Sequence, residues 1–373
     1  MLRYNSIIKE SRFLKILTES LICFVSLILR IKKSSAETQK EIVILCFHKL
    51  GDTVFTIPSI EKILDIKKNE IILFCYDHSV PIYKIAFGNS IKYFSFKSED
   101  FIWGGRLAKT HIRKTLKEIN PEVILDLTGS MESISTFIFS LAPKIAGINK
   151  EIYRKLYTDF IPIKNFTHTT EIYANVVRSF LKNDFSVELK NYENRLNING
   201  PIIIHPFAGW PAKEWGLKNF LDLANLLNNI RDVKLLTPPD SLSDELKREI
   251  KSSGIEITET DSIEKLINTV REAYIVIAND TGVIYISNLL GIPTFTIYGP
   301  TNPLFHQSGN IRSDYVQKQL PCSPNPDEKL CYTDGGREGC PAYECMRRLD
   351  VQSVHSKILN LIQDVYSNSE ISG

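Results

Sequence analysis

The stretch IIIHPFAGWPAKEWGLKNF, Ile202 to Phe220, begins as a strand and ends as a helix. Ile202, Ile203 and Ile204 form an apolar run of the kind buried on both faces of a parallel sheet. Leu217 opens an amphipathic helix that the pattern carries to Leu227. Between the two lies a stiff loop of Pro206, Gly209, Trp210, Pro211 and Trp215, carrying Lys213. A lysine at a strand end is ordinarily just solvated. Here the prolines and aromatic rings lower the entropy lost in holding one ammonium. A fixed cation beyond the carboxyl end of a strand suits a phosphate.

Outward from this stretch the same alternation repeats. Strands are predicted at Val233–Thr237, Ile255–Ile257, Tyr274–Ala278 and Thr294–Tyr298. Helices are predicted at Leu242–Ser252, Ile263–Val270 and Val283–Leu290, with a closing helix at Val351–Val365. Towards the N-terminus, strands are expected at Ile42–Phe47, Ile71–Cys75 and Val123–Leu127. A helix follows the first of these, with apolar positions at Val54, Ile57, Ile60, Ile63 and Leu64, and Thr136–Leu141 reads as helical. The polar segment Asn183–Gly200 reads as a linker. Short apolar strands alternating with amphipathic helices predict an α/β fold of two Rossmann-like domains facing across a cleft. The expected boundaries are residues 38–190 for the first domain and 191–373 for the second. In such sheets ligands bind beyond the carboxyl ends of the strands.

Length and composition agree. With 373 residues, 43 % hydrophobic and 24 % charged, the chain is globular and too long for one ordinary core. A net charge of +2 gives no electrostatic case for nucleic acid. Residues 1–37 read as a basic helical extension: within 1–35, seven lysines and arginines face two glutamates, and Leu14, Leu17, Leu21, Val25 and Ile28 share one helix face. The apolar run Leu21–Leu29 is too short to span a bilayer and has no cleavage signal, so the expected location is cytoplasmic. This helix is expected either at the inner face of the membrane or packed on its own domain.

Three strand-end loops carry candidate chemistry. In HKLGDTVFT, His48 to Thr56, Gly51 is read as a tight turn, and Asp52 stands where a helix begins, as a cap or a base. The second loop is that of Lys213. The third, IVIANDTGVIYISNLLGIPTFTIYGPTNP from Ile275 to Pro303, runs through Asp280 and Thr281 into a helix starting at Gly282. Free N–H groups there suit an anion. Asp280 fits a sugar or ribose hydroxyl, or a helix cap. Gly209 and Gly299 mark further tight turns beside phosphate. Asp126, after Val123–Leu125, is a candidate for the acceptor side or for a cap. His205 is expected to satisfy a strand-end hydrogen bond. Phe101 and Trp103, beside Gly104 and Gly105, form either an acceptor-facing loop or a surface patch. No G-x-G-x-x-G fingerprint is present, against a dinucleotide dehydrogenase.

Of seven cysteines, Cys23, Cys46 and Cys75 lie in apolar runs as small hydrophobes. Cys322, Cys331, Cys340 and Cys345 are separated by eight, eight and four residues. Only the last pair has zinc-knuckle spacing, so free thiols or oxidised pairs stand beside a four-cysteine zinc site.

The segments LGDTVFTIPSI, HPFAGWPAKEWGLKNFLDLANLL and ANDTGVIYISNLLGIPTFTIYGPTNP together resemble the family 9 glycosyltransferases, typified by the ADP-heptose:lipopolysaccharide heptosyltransferases. The resemblance implies a GT-B fold, no cofactor and no essential metal. It also implies inverting transfer from a nucleotide-sugar donor to lipopolysaccharide or another glycolipid or oligosaccharide acceptor. Absence of an Asp-x-Asp pair in the sequence agrees. Carried onto this chain, it makes Asp52 the general base and Lys213 the diphosphate ligand. Asp280, Thr281 and Gly282 then hold the nucleotide sugar. Tyr285 stands where the family often has a donor-side histidine, and Phe207 where a glycine follows "HP". His48 and Lys49 stand where an arginine often precedes "GD", and are read as acceptor-side candidates. These departures leave the donor sugar open, heptose or another. A nucleotide-sugar epimerase and a non-catalytic nucleotide-sugar-binding protein share the same architecture.

Overall fold

The computed structural model describes residues 39–66, 70–163, 168–193, 196–308, 312–331, 340 and 343–367. The basic extension predicted at residues 1–37 lies outside them. The chain clusters into two compact units that divide at Val187 and Glu188. This point falls inside the polar stretch Asn183–Gly200, whose described residues form neither helix nor strand.

The first unit holds a six-stranded, all-parallel sheet. Its strands are β1 Gln39–Cys46, β2 Glu70–Tyr76, β3 Lys92–Phe96, β4 Pro121–Asp126, β5 Lys144–Asn149 and β6 Asp159–Pro162, in the order β3-β2-β1-β4-β5-β6. Its main helices are α1 Leu50–Ile66, α2 Val80–Phe87, α3 Thr110–Ile119, α4 Met131–Phe137 and α5 Thr169–Leu181. The second unit repeats the plan. Strands β7 Ile202–His205, β8 Val233–Thr237, β9 Glu256–Glu259, β10 Ile275–Asn279, β11 Thr294–Tyr298 and β12 Ser313–Gln317 run in the order β9-β8-β7-β10-β11-β12. Helices α6 Leu217–Asn228, α7 Asp244–Ser252, α8 Ile263–Arg271, α9 Gly282–Leu289 and α10 Val351–Ser367 complete it. Both sheets follow the Rossmann order, which reverses direction between its first and fourth strands.

Burial explains why these runs are strands. Ile42–Cys46 and Ile202–Ile204 are at most 1 % exposed, as central strands covered on both faces must be. The elements that apolar runs do not reveal are mostly edges. β3, β6 and β12 are only partly buried, so their sequences never become continuously apolar. β5 escapes for another reason: its centre is Ala146–Gly147, and a Cβ on Gly147 would stand 2.6 Å from that of Asp126. Helix α7 begins at Asp244, two residues after the predicted Leu242, because the Ser243 hydroxyl accepts the Leu246 N–H as its cap. Helix α4 starts five residues before the predicted Thr136. Helix α10 buries Val354, Ile358, Leu361 and Val365 against the second core. Among the described residues no helix is long and apolar enough to cross a membrane.

Candidate active site

In the second unit the loops after β7 and β10 leave adjacent strands at the point where strand order reverses. That crevice is where ligands bind in open α/β sheets. The β7 loop makes a single 3₁₀ turn at Pro211–Lys213. It is braced from every side. Trp215 N–H donates to the Asn279 side chain at 3.1 Å, and Asn279 donates back to Pro206 O at 2.7 Å. The Trp215 indole donates to Leu349 O at 3.0 Å and its ring meets Phe220 edge-on. Ala208 N–H donates to the Glu214 carboxylate at 3.1 Å. The Lys213 ammonium lies 5.2 Å from the Trp210 ring centroid, a cation–π contact. The stiffness read from the prolines and tryptophans is thus real, and it places one ammonium.

That ammonium is paired. Lys213 Nζ donates to the Asp280 carboxylate, which also accepts from the Tyr285 hydroxyl and, at 2.7 Å, from Thr301 Oγ1. Asp280 is 2 % and Lys213 14 % exposed by side chain. Burial alone would push the Asp280 carboxyl up. Lys213, His306 and the bonds from Lys213 and Tyr285 outweigh it and hold the group well below the usual carboxylate range. Burial, then the Asp280 charge, lifts Tyr285 well above an ordinary phenol, so it stays a donor.

These contacts revise two expectations. Asp280 does not cap α9, whose N-cap is Thr281, and its carboxylate is committed to Lys213, Tyr285 and Thr301 rather than offered to a sugar. Tyr285 is 4 % exposed with its hydroxyl spent on Asp280, so it supports the Lys213–Asp280 pair instead of reaching a donor. The groups left to meet an anion are the ammonium and the start of α9. There the Gly282 end supplies N–H groups, and Thr281 Oγ1 is buried with no hydrogen bond to any described residue. Thr301 and His306 escaped sequence reading. Thr301 lies within the quoted GPTNP turn, but nothing in its spacing tells that its hydroxyl reaches Asp280.

The first unit has the corresponding crevice after β1 and β4. Helix α1 starts at Leu50, so Asp52 sits in its first turn, one turn inside Lys49, rather than at the cap. A negative charge is favoured there by the helix dipole. No hydrogen bond or ion pair with a described residue occupies the Asp52 carboxylate. Beside it His48, 8 % exposed, donates from Nε2 to Leu127 O at 3.0 Å and packs edge-on against Tyr173. Burial lowers the His48 pKa although Asp52 and the Leu127 bond pull the other way, so the ring is neutral at pH 7. Lys49 accepts the Thr53 hydroxyl at its carbonyl and is exposed.

Asp126 is corrected from acceptor-side candidate to internal brace. It is 0 % exposed and accepts from Tyr157 OH at 2.6 Å, Ser133 Oγ at 2.8 Å, Thr128 N at 2.9 Å and Gly129 N at 3.1 Å. Of the three glycines read as tight turns, only Gly51 is corrected, while Gly209 and Gly299 stand at bends. None of Gly51, Gly209 and Gly299 has positive φ. Gly51 lies within α1, a Cβ on Gly209 would meet nothing within 4 Å, and only Gly299 is crowded, 2.8 Å from Met346 Cε. His205 donates from Nδ1 to Leu236 O at 2.9 Å, the strand-end bond expected of it. Among the described residues no group of three or more His, Cys, Asp or Glu is placed to hold a metal ion, Cys322, Cys331, Cys340 and Cys345 included.

The two sheets share one strand order, and each has its candidate site residues at the reversal point. The model of glycosyltransferase family 9 (heptosyltransferase) matches residues 109–333. The chain belongs to glycosyltransferase family 9. No curated protein sequence matches it. Among solved structures, a family 9 glycosyl transferase from Veillonella parvula superposes with a TM-score of 0.70 at 16 % identity, covering 88 % of this chain and 99 % of the other. ADP-heptose lps heptosyltransferase II of E. coli gives 0.65 at 15 % identity, covering 87 % and 98 %. The E. coli heptosyltransferase WaaC, solved with ADP, gives 0.63 at 15 %, covering 86 % and 99 %. At such identities the likeness establishes the fold, and it is that of the two-domain heptosyltransferases. This family 9 protein is therefore a glycosyltransferase of α/β architecture.

Proposed function

We propose that this glycosyltransferase moves a sugar from a nucleotide-sugar donor to a lipopolysaccharide or related surface-glycan acceptor, by one inverting displacement and without an essential metal. The observation that carries the reading is the braced Lys213 ammonium beside the α9 start, with Asp280 spent on holding it. An ammonium has three donors. Two go to the carboxylate and carbonyl of Asp280, which leaves one for phosphate.

In this scheme the Asp52 carboxylate takes the proton from an acceptor hydroxyl. The oxygen attacks the anomeric carbon from the face opposite the nucleotide, the bond to the diphosphate breaks, and configuration inverts. Charge building on the leaving diphosphate is met by Lys213, the N–H groups at Gly282 and the Thr281 hydroxyl, in place of a divalent cation. The chemistry of the solved relatives points to the donor class. E. coli WaaC has been solved with ADP and with ADP-2-deoxy-2-fluoro heptose, so an ADP-linked heptose is the first donor to try. The first unit, with Asp52, takes the acceptor, and the second, with Lys213, the donor.

A thermal-shift screen against ADP-, GDP-, UDP-, dTDP- and CMP-sugars tests this. A ligand at ~100 times its dissociation constant adds ~2.7 kcal/mol to stability. One donor class should raise the melting temperature, equally with EDTA present. If none does, the protein does not bind nucleotide sugars and the proposal falls.

A further inference from the structure

A second feature of the first unit is used neither by Asp52 nor by the core. After β3 the chain makes a tight hairpin, in which Phe101 pairs with Ala108 and Ile102 with Leu107. Its tip is Trp103–Gly104, both in left-handed backbone, with φ of 56° and 65°. Between the Ile102–Leu107 pair the loop has four residues, and a position at positive φ ordinarily takes Gly, Asn or Asp, so tryptophan is an uphill choice there. The ring is 78 % exposed. A large apolar side chain held in solvent on a disfavoured backbone gains nothing from folding.

The base of the hairpin is rigid. Phe101, 4 % exposed, packs edge-on against Phe47 at 4.8 Å and Tyr76 at 5.7 Å. Ala108 N–H donates to Ser135 Oγ on α4 at 2.8 Å. Phe47 directly precedes His48, so the hairpin is anchored to the loop that leads from β1 into α1, whose first turn carries Asp52. Beside the tip stands a carboxylate. A Cβ on Gly105 would lie 3.6 Å from Glu132 Oε1. Glu132 Oε2 is buried and makes no hydrogen bond to any described residue. Burial, then the Glu132 charge, pushes the neighbouring Tyr76 hydroxyl up to about 12, which keeps it a donor.

We infer that Trp103 and Glu132 form a subsite for an uncharged pyranose ring of the acceptor, Trp103 stacking on its C–H face and Glu132 accepting from its hydroxyls. A sugar presents both halves of what this pair lacks: a flat apolar face polarised against the negative face of the indole, and hydroxyl donors for a desolvated carboxylate. The Glu132 charge disfavours an acidic sugar, and equally the anionic headgroups of a membrane. The inference rests on the acceptor being a glycan, as proposed above.

Titration of the full chain with neutral methyl pyranosides and the matching uronic acids, followed by tryptophan fluorescence, tests it. Of the three tryptophans, Trp215 is buried and Trp210 is half-buried against Lys213, so Trp103 is the most exposed and is the reporter. At least one neutral pyranoside should shift the emission, its uronic acid binding more weakly. The signal should vanish in Trp103→Ala, return in part in Trp103→Tyr when read by calorimetry, and need about 10-fold more ligand in Glu132→Gln. Trp103 is exposed and Glu132 partly buried, and the donor-induced thermal shift should be that of the unaltered chain in every variant, which separates this subsite from the donor site. Emission that no neutral pyranoside moves, affinity unchanged by either substitution, or a preference for the uronic acids overturns the subsite. Absence of any donor shift in the unaltered chain instead overturns the proposed function and leaves the pyranoside titration to be judged alone.

Discussion

Replacing Lys213 by alanine removes one half of a buried ion pair and leaves the other. Asp280, 2 % exposed, loses the partner that most offsets its burial and keeps only Tyr285 and Thr301 as donors. Breaking such a pair from one side costs about 3–5 kcal/mol, because the remaining charge is desolvated without compensation. The cost depends on pH, with a sign that can be worked out. Without Lys213, burial dominates, and the folded-state pKa of Asp280 rises above the unfolded value of about 3.9. Between those two values the folded state holds a proton that the unfolded state has released, so stability falls as pH rises through that window. In the unaltered chain the pKa lies below the unfolded value, so this contribution is present above about pH 4 and is lost only as pH falls further. The deficit of Lys213→Ala should therefore be largest near neutrality and shrink towards pH 5. Lys213→Met combined with Asp280→Asn should recover most of the stability, since no unpaired charge remains, but not donor binding. Urea unfolding followed by fluorescence at two pH values measures all of this. A deficit below about 1 kcal/mol, the range of an exposed pair, would refute the reasoning, as would a deficit independent of pH or a double variant no more stable than the single one.

Asp52→Asn should lower turnover by about 10²–10⁴, the usual share of a general base, while the donor-induced thermal shift stays intact; equal loss of both would mean a structural role. Gly147→Ala should destabilise by roughly 1–3 kcal/mol, because the new methyl would stand 2.8 Å from the Asp126 carbonyl and 2.9 Å from Tyr157, and backbone cannot step aside; thermal unfolding reads this directly. Burial pushes Asp126 up to about 6 against the bonds from Tyr157, Gly129, Ser133 and Thr128. Its folded pKa thus exceeds the unfolded one, and stability should decline by roughly 3 kcal/mol as pH rises from about 4 to about 6, a limb that Asp126→Asn should flatten in a pH series of unfolding curves.

Much of this fold was readable because its central strands are covered on both faces. Ile202–His205, Val233–Thr237 and Thr294–Tyr298 appear with the boundaries their apolar runs predict. The edge strands β3, β6 and β12 were not readable, since a half-buried strand has no need of a continuous apolar sequence. At the candidate site, the sequence marked the two loops after β7 and β10 that the structure brings together through Lys213 and Asp280. It did not reveal how the residues divide the work. That Asp280 serves Lys213, and that Tyr285 and Thr301 serve Asp280, depends on side chains 67, 5 and 21 positions apart meeting at one carboxylate. Asp126 misled for the opposite reason. A carboxylate at a strand end looks available in sequence, and only the converging Tyr157 and Ser133 hydroxyls show it is consumed.

We propose metal-free inverting transfer with Asp52 as base. It is tested most directly by incubating the protein, in EDTA, with the donor selected by thermal shift and a deacylated lipopolysaccharide acceptor, and reading the anomeric configuration of the new linkage by NMR. The account predicts a product inverted relative to the donor and absent with Asp52→Asn. A retained configuration, or transfer that appears only when a divalent cation is restored, would contradict it.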